Sequence, residues 1–450
     1  GHARYLFERV GKYLRQYWFT NDNEERPFSR STRSQVYRMS KNIKNVLSFG
    51  STREMQAEVF SPSMFPLESH ESDIDRVFTI GKDCEMPVKQ TNLVNISGMS
   101  FGALSGNAIR ALSLGAQKAG ISLNTGEGGK PSKYHGFDGD SNLVLQLGTA
   151  NFGYRNEDGT IDYKKLAEVR ESKSIEHIQI KLSQGAKPSQ GGHLPGVKVT
   201  EEIAELRGVE PFKDCISPCK NPDCDTPEKL LNTILKIKKV TGKPVGIKLA
   251  LAKIDDLEKL LKLAIKMQKG NDGRETFYPS VITIDGGDGG TGAAPAVFME
   301  SVALPVKNIL PEVHSLLVKL GLKSKIGLVA SGKLVTAHDA ALAFTMGADW
   351  IETARGFLMA IGCINANDCY LGTCAVGIAT QDPVRQRALD VEDKAFRVAN
   401  YAVNLESEIF DLALACGVSH PRDLKPKHVV EVNSNKTNAR GEKIMNVKSV

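Results

Sequence analysis

The sequence predicts an α/β protein built on a (β/α)8 TIM barrel, and three observations favour this fold class. Short apolar runs suited to buried strands alternate with longer amphipathic segments over roughly 270 residues, as repeated strand–helix units require. Most of these runs end in glycine or polar residues, at the place where a barrel carries its site. No GxGxxG pattern follows the first run, which disfavours an open doubly wound sheet. The eight runs are Leu93–Gly102, Ile121–Gly129, Asn142–Thr149, Ile175–Gly185, Pro244–Ala252, Ser280–Gly290, Lys325–Lys333 and Trp350–Gly356.

Length and composition place this barrel in a larger globular protein. The chain has 450 residues, of which 41% are hydrophobic and 24% charged, so it can bury a large core and lacks the composition of a disordered protein. Lysine and arginine number 58 against 52 for aspartate and glutamate, a mild excess that favours anionic small ligands. No run of basic residues accompanies this excess, so nucleic acid is not an expected partner.

The chain divides into three predicted segments. Residues 1–90 are rich in arginine and aromatic residues and are interpreted as an N-terminal extension that packs on the barrel. Residues 91–425 form the barrel domain, and residues 426–450 a basic, asparagine-rich C-terminal tail. The sequence has no apolar run of about 18 residues and no signal-peptide pattern. It begins Gly-His, and we expect a cytoplasmic protein with membrane attachment only through a segment ahead of residue 1.

Glycine-rich loops follow several of the predicted strands. Asn124–Gly129 and Asp285–Gly292 place bare backbone next to polar side chains, as a site for a flat or anionic ligand requires. Tight turns are the alternative, but two such loops at separate strand ends favour a ligand. The last two runs end at Ser331–Lys333 and Ala354–Gly356, where barrels bind phosphate, and the whole set suits FMN. The candidate FMN-binding residues are Met99, Ser100, Gly102, Asn124, Thr125, Lys181, Gly287, Asp288, Gly289, Gly290, Ser331, Gly332, Lys333, Ala354 and Arg355.

Two lysines near the end of the fourth run are candidate functional residues. Lys181 lies at the strand end and Lys187 follows six residues later. A lysine in this place can lie beside the N1 and O2 edge of a flavin and stabilise its anionic reduced form. For Lys187 a solvated loop charge is an equally good interpretation. That alternative is weaker for Lys181, because an unpaired charge in a barrel mouth is costly.

The eight cysteines are clustered, which indicates metal chemistry in a reducing compartment. Cys363, Cys369 and Cys374 lie within twelve residues just after the eighth run, with no histidine or fourth cysteine nearby. Structural zinc and 4Fe-4S centres usually take four protein ligands, so three thiolates favour a 3Fe-4S cluster. Three unrelated buried thiols are the alternative.

A second cysteine group lies in a loop or lid between residues 191 and 226. It comprises Cys215, Cys219 and Cys224, and no fourth ligand is evident. Zinc binding is one interpretation, and isolated thiols are the favoured one.

Six ordered motifs resemble the synthase domain of glutamate synthase. The match covers about residues 90–415 with the cysteine spacing preserved, and the motifs are MSFGALSGNAIRAL, NTGEGG, IQIKLSQGAKPSQGGHLPG, ITIDGGDGGTGAAP, ARGFLMAIGC and the cysteine stretch ending CAVGIATQDP. RYLFERVGKYLRQY with EERPFSR is similar to the stand-alone FMN-binding glutamate synthase-like subfamily, whose members often carry membrane-spanning residues ahead of it. The resemblance implies FMN next to a 3Fe-4S cluster, with electrons reaching the flavin through the cluster and passing as hydride to 2-iminoglutarate.

The resemblance also implies roles for individual residues. Glu127 matches an acidic residue near the ammonia entry and the flavin. Lys181 and Lys187 match a pair that serves the flavin and the keto-acid carboxylate. The three cysteines of the 363–374 stretch match the cluster ligands.

Some residues on the substrate side depart from the family pattern. Gln190 and His193 stand where the family has a glutamate and a glutamine. Asn151 stands where the family has an arginine, and Arg155 is a candidate substitute. These four residues and Gln184 are the candidate substrate residues, and the departures bear on whether 2-oxoglutarate is the substrate.

The expected enzyme is an oxidoreductase acting on CH–NH2 donors, of the glutamate synthase type, which reductively aminates 2-oxoglutarate to L-glutamate. The 450 residues contain no glutaminase domain with an N-terminal nucleophilic cysteine, so we expect nitrogen from ammonia, another amine or a separate glutaminase. Without a visible NAD(P)H fingerprint, the expected electron donor is ferredoxin or a reductase subunit. Three alternatives stay open: an N-alkylglutamate synthase or dehydrogenase-like flavoenzyme, a non-redox barrel like that of IMP dehydrogenase, and a flavin and iron-sulfur subunit that only relays electrons.

Overall fold

Eight parallel strands pair in one closed ring, which confirms the predicted (β/α)8 barrel. A computed structural model describes residues 27–46, 58–68, 77–136, 141–271, 275–437 and 443–449. Each of the eight apolar runs contains one barrel strand. The strands in chain order are β1 Glu58–Phe60, β2 Phe78–Ile80, β3 Val88–Gln90, β4 Val94–Ile96, β5 Ser122–Asn124, β6 Asn142–Leu147, β7 Ile175–Lys181, β8 His193–Leu194, β9 Cys215–Ile216, β10 Val245–Leu249, β11 Val281–Asp285, β12 Gly327–Ser331, β13 Trp350–Thr353, β14 Val429–Thr437 and β15 Lys443–Ser449.

The ring runs β4, β5, β6, β7, β10, β11, β12 and β13, and β13 then pairs with β4. Strands β10, β11 and β12 are buried along their whole length, because helices cover one face and the barrel interior the other. All eight strands run in the same direction, so their carboxyl ends meet at one mouth. The glycine and polar residues that end the apolar runs therefore face one another across this mouth.

Helices of very different lengths surround the barrel. Most begin at a side-chain cap, as where Ser105 accepts a hydrogen bond from the backbone N–H of Ala108 at 3.1 Å. The helices in chain order are α1 Arg30–Ser40, α2 Gly106–Ala119, α3 Tyr163–Ala167, α4 Glu201–Arg207, α5 Pro227–Thr241, α6 Asp255–Gly270, α7 Ala296–Ser301, α8 Val306–Lys319, α9 Ala337–Thr345, α10 Arg355–Ala360, α11 Pro383–Gln386 and α12 Val391–Ala415.

Segments outside the barrel pack against it at both ends of the chain. Helix α1 contacts α10 and α12, and β1 pairs with β14 in a small antiparallel sheet that includes β15. The sequence predicts no strand after residue 425, so this sheet is a finding of the structure. Residues 1–26, which include most of the resembling N-terminal segment, lie outside the described residues. Within the described part, no helix is both long and apolar enough to cross a membrane.

Helices α2 and α12 pack closely at a glycine. A Cβ added to Gly115 would collide with the Cβ of Val398 and lie 2.7 Å from the carbonyl oxygen of Ala395. Both neighbours belong to α12, and Val398 is fully buried. The absence of a side chain at residue 115 therefore sets the distance between the two helices.

We expect Gly115→Ala to lower the free energy of unfolding by about 1–3 kcal/mol, because the added methyl group forces the two helices apart. Urea denaturation followed by circular dichroism measures the change. Gly270→Ala is the matched control, since a Cβ at the end of α6 meets no atom within 4 Å. The control should raise stability slightly, by about 0.5 kcal/mol. An unchanged urea midpoint for Gly115→Ala would contradict the packing argument.

Candidate functional site

A largely buried ion pair lies at the barrel mouth. Glu127 follows β5 by three residues and Lys181 ends β7, and Glu127 Oε1 lies 2.9 Å from Lys181 Nζ. Lys181 also donates a hydrogen bond to Gln184 Oε1 at 3.2 Å. A Cβ at Gly148 would lie 2.5 Å from Glu127 Oε2, and one at Gly192 would collide with Oε1. Glycine at these two positions therefore makes room for the carboxylate.

The charges around this pair are predominantly positive. Burial raises the pKa of Glu127, but the charge and hydrogen bond of Lys181, then Arg207 and Lys187, outweigh it and hold the pKa below its usual range. Burial lowers the pKa of Lys187; Lys181 acts in the same direction and Glu127 opposes both. Three cationic side chains thus surround one ionised carboxylate, and the excess of positive charge attracts an anionic ligand.

Polar amides line the barrel interior below the mouth. Asn124 and Gln146 both donate to Gln179 Oε1, at 2.8 and 2.7 Å, and Gln179 donates to Thr283 Oγ1 at 3.0 Å. A Cβ at Gly98 would lie 2.9 Å from Asn124 Oδ1. The orientation of each amide is fixed by its neighbour, so this network presents donors and acceptors in set directions.

A second group of charges lies inside the barrel at β10, β11 and β13. Lys248 Nζ is 3.5 Å from Asp285 Oδ2, and Ser331 donates to Asp285 Oδ1 at 2.9 Å. Burial, and then the charge of Asp285, raises the pKa of Glu352 to about 7, although Lys248 opposes the shift. Glu352 Oε2 is buried without a hydrogen-bond partner among the described residues. Glu352 is therefore an acid that changes charge near neutral pH.

The glycine-rich loops after β11 and β12 meet at the mouth. The backbone N–H of Gly286 donates to the carbonyl of Ser331 at 2.8 Å. Gly332 has φ +136°, and a Cβ there would lie 2.8 Å from Asp288 Oδ1. Arg355, the first residue of α10, donates to the carbonyl of Asp288 at 2.8 Å. The structure thus brings together the candidate residues at positions 287–290, 331–333 and 354–355.

The loop after β4 lies next in the ring and adjoins the loop after β5. A Cβ at Gly126 would lie 2.5 Å from the backbone nitrogen of Ser100, so the loops after β4 and β5 touch. Gly102 has φ +106°, and a Cβ there would lie 3.1 Å from the side chain of Leu194. Met99, Ser100 and Thr125 are buried in this contact.

Residues 191–226, here called the lid, cover part of the mouth. A hairpin of β8 and β9 carries His193, whose Nε2 lies 3.0 Å from Asp214 Oδ2 and whose ring centroid lies 5.4 Å from that of Tyr370. The lid also carries Arg207, which is 4% exposed and donates to the carbonyl of Phe101 at 3.2 Å. Gln190, just ahead of the lid, donates its backbone N–H to the carbonyl of Lys187 at 3.3 Å.

Two candidate substrate residues are engaged elsewhere. Asn151 has φ +49°, is fully buried, and donates to the carbonyl of Gly159 at 3.1 Å and to Asn221 Oδ1 at 3.3 Å. Arg155 donates to the carbonyl of Gly208 at 2.9 Å and stacks on Phe152. Among the contacts of the described residues, none joins either side chain to the ion pair at the mouth.

The three cysteines of residues 363–374, here called the cysteine loop, lie close together. Burial raises the pKa of the Cys363 thiol to about 12, and the nearby Cys369 adds to this shift. Burial also raises the pKa of Cys369, and the nearby Cys374 adds to it. A Cβ at Gly292 would lie 3.4 Å from the Cβ of Cys369, so the cysteine loop adjoins the glycine-rich loop after β11. In the part of the chain that the structure describes, no three His, Cys, Asp or Glu side chains form a site for a single metal ion.

The three cysteines of the second group lie in different surroundings. Cys215 is buried and accepts a hydrogen bond from Arg207 at 3.7 Å, whereas Cys219 is exposed. Burial, and then Asp223, raises the pKa of Cys224 to about 12.

The sequence analysis does not identify several charged side chains of the site. Lys248, Asp285 and Glu352 could have been identified, because a charged residue within an apolar strand is costly to bury unless it has a role. Arg207 and Lys198 lie in the lid, where neighbouring residues give no such signal. Their positions depend on how the lid folds over the mouth.

Comparison with known proteins supplies the family. Residues 30–419 match the family model described as the conserved region in glutamate synthase. This chain belongs to the glutamate synthase family. A glutamate synthase large subunit-like protein of Bacillus subtilis is 37% identical, over 96% of this chain and 88% of that protein. An archaeal glutamate synthase [NADPH] of Methanocaldococcus jannaschii is 34% identical, over 74% of this chain and 60% of that protein.

The solved structures agree with the barrel of this glutamate synthase homologue. A flavocytochrome b2 variant with benzoylformate matches it with a TM-score of 0.50 and 15% identity, over 89% of this chain and 79% of that one. At this identity the likeness concerns the fold alone. The family resemblance seen in the sequence is confirmed, and the chain is a glutamate synthase-like oxidoreductase.

Glu352 gives the stability of this homologue a pH dependence. Folding raises the pKa of this carboxyl from 4.5 to about 7, so the folded state loses stability relative to the unfolded state as pH rises through this interval. Between pH 5 and pH 8 the raised pKa of Glu352 should lower the free energy of unfolding by an amount on the order of 3 kcal/mol. We expect this decrease to be absent in Glu352→Gln. Urea denaturation at both pH values measures the free energy of unfolding.

The exposed Glu157 supplies the control for this prediction. Glu157→Gln should show the pH dependence of the unsubstituted protein. If Glu352→Gln shows it as well, the assigned protonation of Glu352 is wrong.

Proposed function

We propose that this protein reductively aminates 2-oxoglutarate, via 2-iminoglutarate, to L-glutamate, with FMN and a 3Fe-4S cluster as its cofactors. The observation that carries the proposal is the Glu127–Lys181 ion pair with buried Lys187 beside it, at the carboxyl ends of the strands of a glutamate synthase-family barrel. A dianionic keto acid is suited to such an excess of positive charge, and barrels act at this end. The archaeal relatives are named glutamate synthases, and the chain spans about 60% of their length.

The mouth suits FMN. A Cβ at Gly126, Gly286 or Gly332 would lie within 2.8 Å of a neighbouring protein atom, so glycine lets the loops that would enclose the flavin pack closely around the mouth. Ser331, Lys333 and Arg355 are proposed to hold the phosphate, and Lys181 to lie beside the flavin ring. The remaining loop residues named above would line the ring and the ribityl chain. When bound, FMN supplies a hydride to the imine carbon.

The cysteine loop suits a 3Fe-4S cluster. Burial, and then a neighbouring thiol of the same loop, raises the pKa of Cys363 and of Cys369, so the thiols lie close enough to bind one iron-sulfur centre as thiolates. A single metal ion needs its ligands around one point, whereas each thiolate of a cuboid cluster binds its own iron. When bound, the cluster supplies single electrons.

The chain's own side chains would bind and orient the substrate. We assign the keto-acid carboxylate to Lys187, whose buried ammonium has Glu127 as its nearby counter-charge. Glu127 stays ionised and would hold an ammonium or amine substrate by charge and hydrogen bonding at its carboxylate oxygens. Gln184, Gln190 and His193 lie on the lid side and would contact the distal part of the substrate. Asn151 and Arg155 would not contact the substrate directly and would instead fix the loops beneath the lid through their hydrogen bonds.

The nitrogen source and the electron donor are assigned by chemical class. Ammonia, another amine or a separate glutaminase would supply nitrogen. A ferredoxin or a reductase subunit would supply electrons, since no NAD(P)H fingerprint is visible in the sequence.

Product analysis tests the reaction. Anaerobic protein with a reduced donor, 2-oxoglutarate and ammonia should form L-glutamate, and Lys187→Met should raise the KM for 2-oxoglutarate about 10- to 100-fold by removing a charged hydrogen-bond donor. Lys269→Met, at an exposed lysine in the last turn of α6 and so away from the carboxyl ends of the strands, is the matched control and should leave KM unchanged.

Three results would redirect the proposal. N-Methylglutamate from methylamine, at a rate above that of glutamate from ammonia, would assign the protein to N-alkylglutamate chemistry. Bound flavin and cluster without turnover of any amino acid would assign it to electron relay. An unchanged KM in Lys187→Met would remove this lysine from the keto-acid site.

We expect iron and FMN in a 3:1 ratio in anaerobically purified protein, and loss of iron in Cys369→Ser with the fold retained. A single thiolate lost from a three-cysteine centre leaves one iron without a protein ligand. Metal analysis, acid-labile sulfide and circular dichroism measure iron, sulfide and fold. Cys219→Ser is the matched control, because Cys219 is exposed in the lid. Full iron content in Cys369→Ser would contradict the assignment.

A further inference from the structure

Lys198 connects the lid to the cysteine loop. It ends the single 3-10 turn Gly196–Lys198 that follows β8, and it is 3% exposed. Its Nζ donates to the carbonyl of Cys369 at 3.1 Å and to that of Ala103 at 2.7 Å. The bond to Cys369 joins residues 171 positions apart in the sequence, so it is a contact created by the fold.

The hydrogen-bond partners of this buried ammonium group carry no charge. Both hydrogen bonds end on neutral carbonyl oxygens. Among the described residues, no carboxylate lies within ion-pair distance of Lys198 Nζ, whereas the buried Lys181 and Lys238 each have one. A buried ammonium is costly without a counter-charge, so the structure retains this lysine at a net cost unless negative charge develops beside it.

The groups that could provide this negative charge are the cysteine thiols. Cys369 and Cys374 are the acidic groups that act electrostatically on Lys198. They are two of the three proposed cluster ligands, and a cluster bound through thiolates carries net negative charge. One-electron reduction adds one more negative charge at the same place, which a nearby cation stabilises.

We propose that Lys198 is a positioning residue whose positive charge raises the reduction potential of the cluster held by the cysteine loop. The inference rests on the proposed 3Fe-4S centre. The Lys198 hydrogen bond to the Cys369 carbonyl fixes the ammonium next to the cluster ligands, and its second hydrogen bond fixes it to the loop after β4. Net charge and hydrogen bonding near the sulfurs are established determinants of cluster potential.

The test is a redox titration of purified full-length protein with dithionite and mediators, followed by the EPR signal of the oxidised cluster. Lys198→Met keeps the apolar stem and removes the charge, so its midpoint potential should shift to a more negative value while iron and sulfide contents stay at the level of the unsubstituted protein. Lys198→Arg keeps the charge and should restore the potential. Lys213→Met, at a lid lysine whose side chain is 73% exposed, is the matched control and should leave the potential unchanged.

Each outcome decides the proposal. An unchanged potential in Lys198→Met with iron retained overturns it. If Lys198→Met loses iron, retention of iron by Lys198→Arg supports the role of the charge, and loss of iron in both variants overturns it. Iron analysis of the unsubstituted protein separates the two levels of inference, because protein without a cluster would refute the proposed cofactor itself.

Discussion

Closure of the barrel is the constraint on which the site depends. Pairing of β13 with β4 joins the last strand to the first and holds eight carboxyl ends around one mouth. Glu127 and Lys181 are 54 positions apart in the sequence and meet only because their strands are two places apart in this ring. The polar amides of β5, β6 and β7 and Thr283 of β11 form one network for the same reason. Outside this ring of paired strands these groups would lack one another as hydrogen-bond and ion-pair partners, and their burial would be costly.

Glycine makes such a crowded mouth sterically feasible. Gly185 lies so close to the carbonyl oxygen of Gly286 that no side chain fits, and Gly191 has the same relation to the carbonyl oxygen of Ser217. The first contact brings the loops after β7 and β11 together. The second packs the first residue of the lid against the chain just after the β8–β9 hairpin. Glycine in these loops thus permits close packing of backbone against backbone around the mouth, because the contacts leave no room for Cβ atoms.

The sequence predicts the parts of this architecture that depend on local pattern. All eight barrel strands fall within the apolar runs, because a parallel strand buried on both faces is apolar along its length. Lys181 and Lys187 are candidates by their positions at and after a strand end, and Glu127 by the family resemblance; the structure brings the three together. Arg207 and Lys198 are not found, because their burial results from lid packing across long sequence separations. Asn151 and Arg155 are substrate candidates through the family resemblance, and in the structure their side chains donate to Asn221 and to the carbonyl of Gly208, contacts that no local pattern predicts.

The lid links the two proposed cofactor regions into one structural unit. At its start, Gly192 packs against the carboxylate of Glu127, and six residues later Lys198 holds the carbonyl of Cys369. The cysteine loop in turn adjoins Gly292 of the loop after β11, whose Asp288 carbonyl binds Arg355. Displacement of the lid therefore alters the surroundings of the ion pair and of the thiols together. Only six positions separate the two contacts, and the 3-10 turn Gly196–Lys198 lies within this interval, so a displacement of this part of the lid as one body would move both.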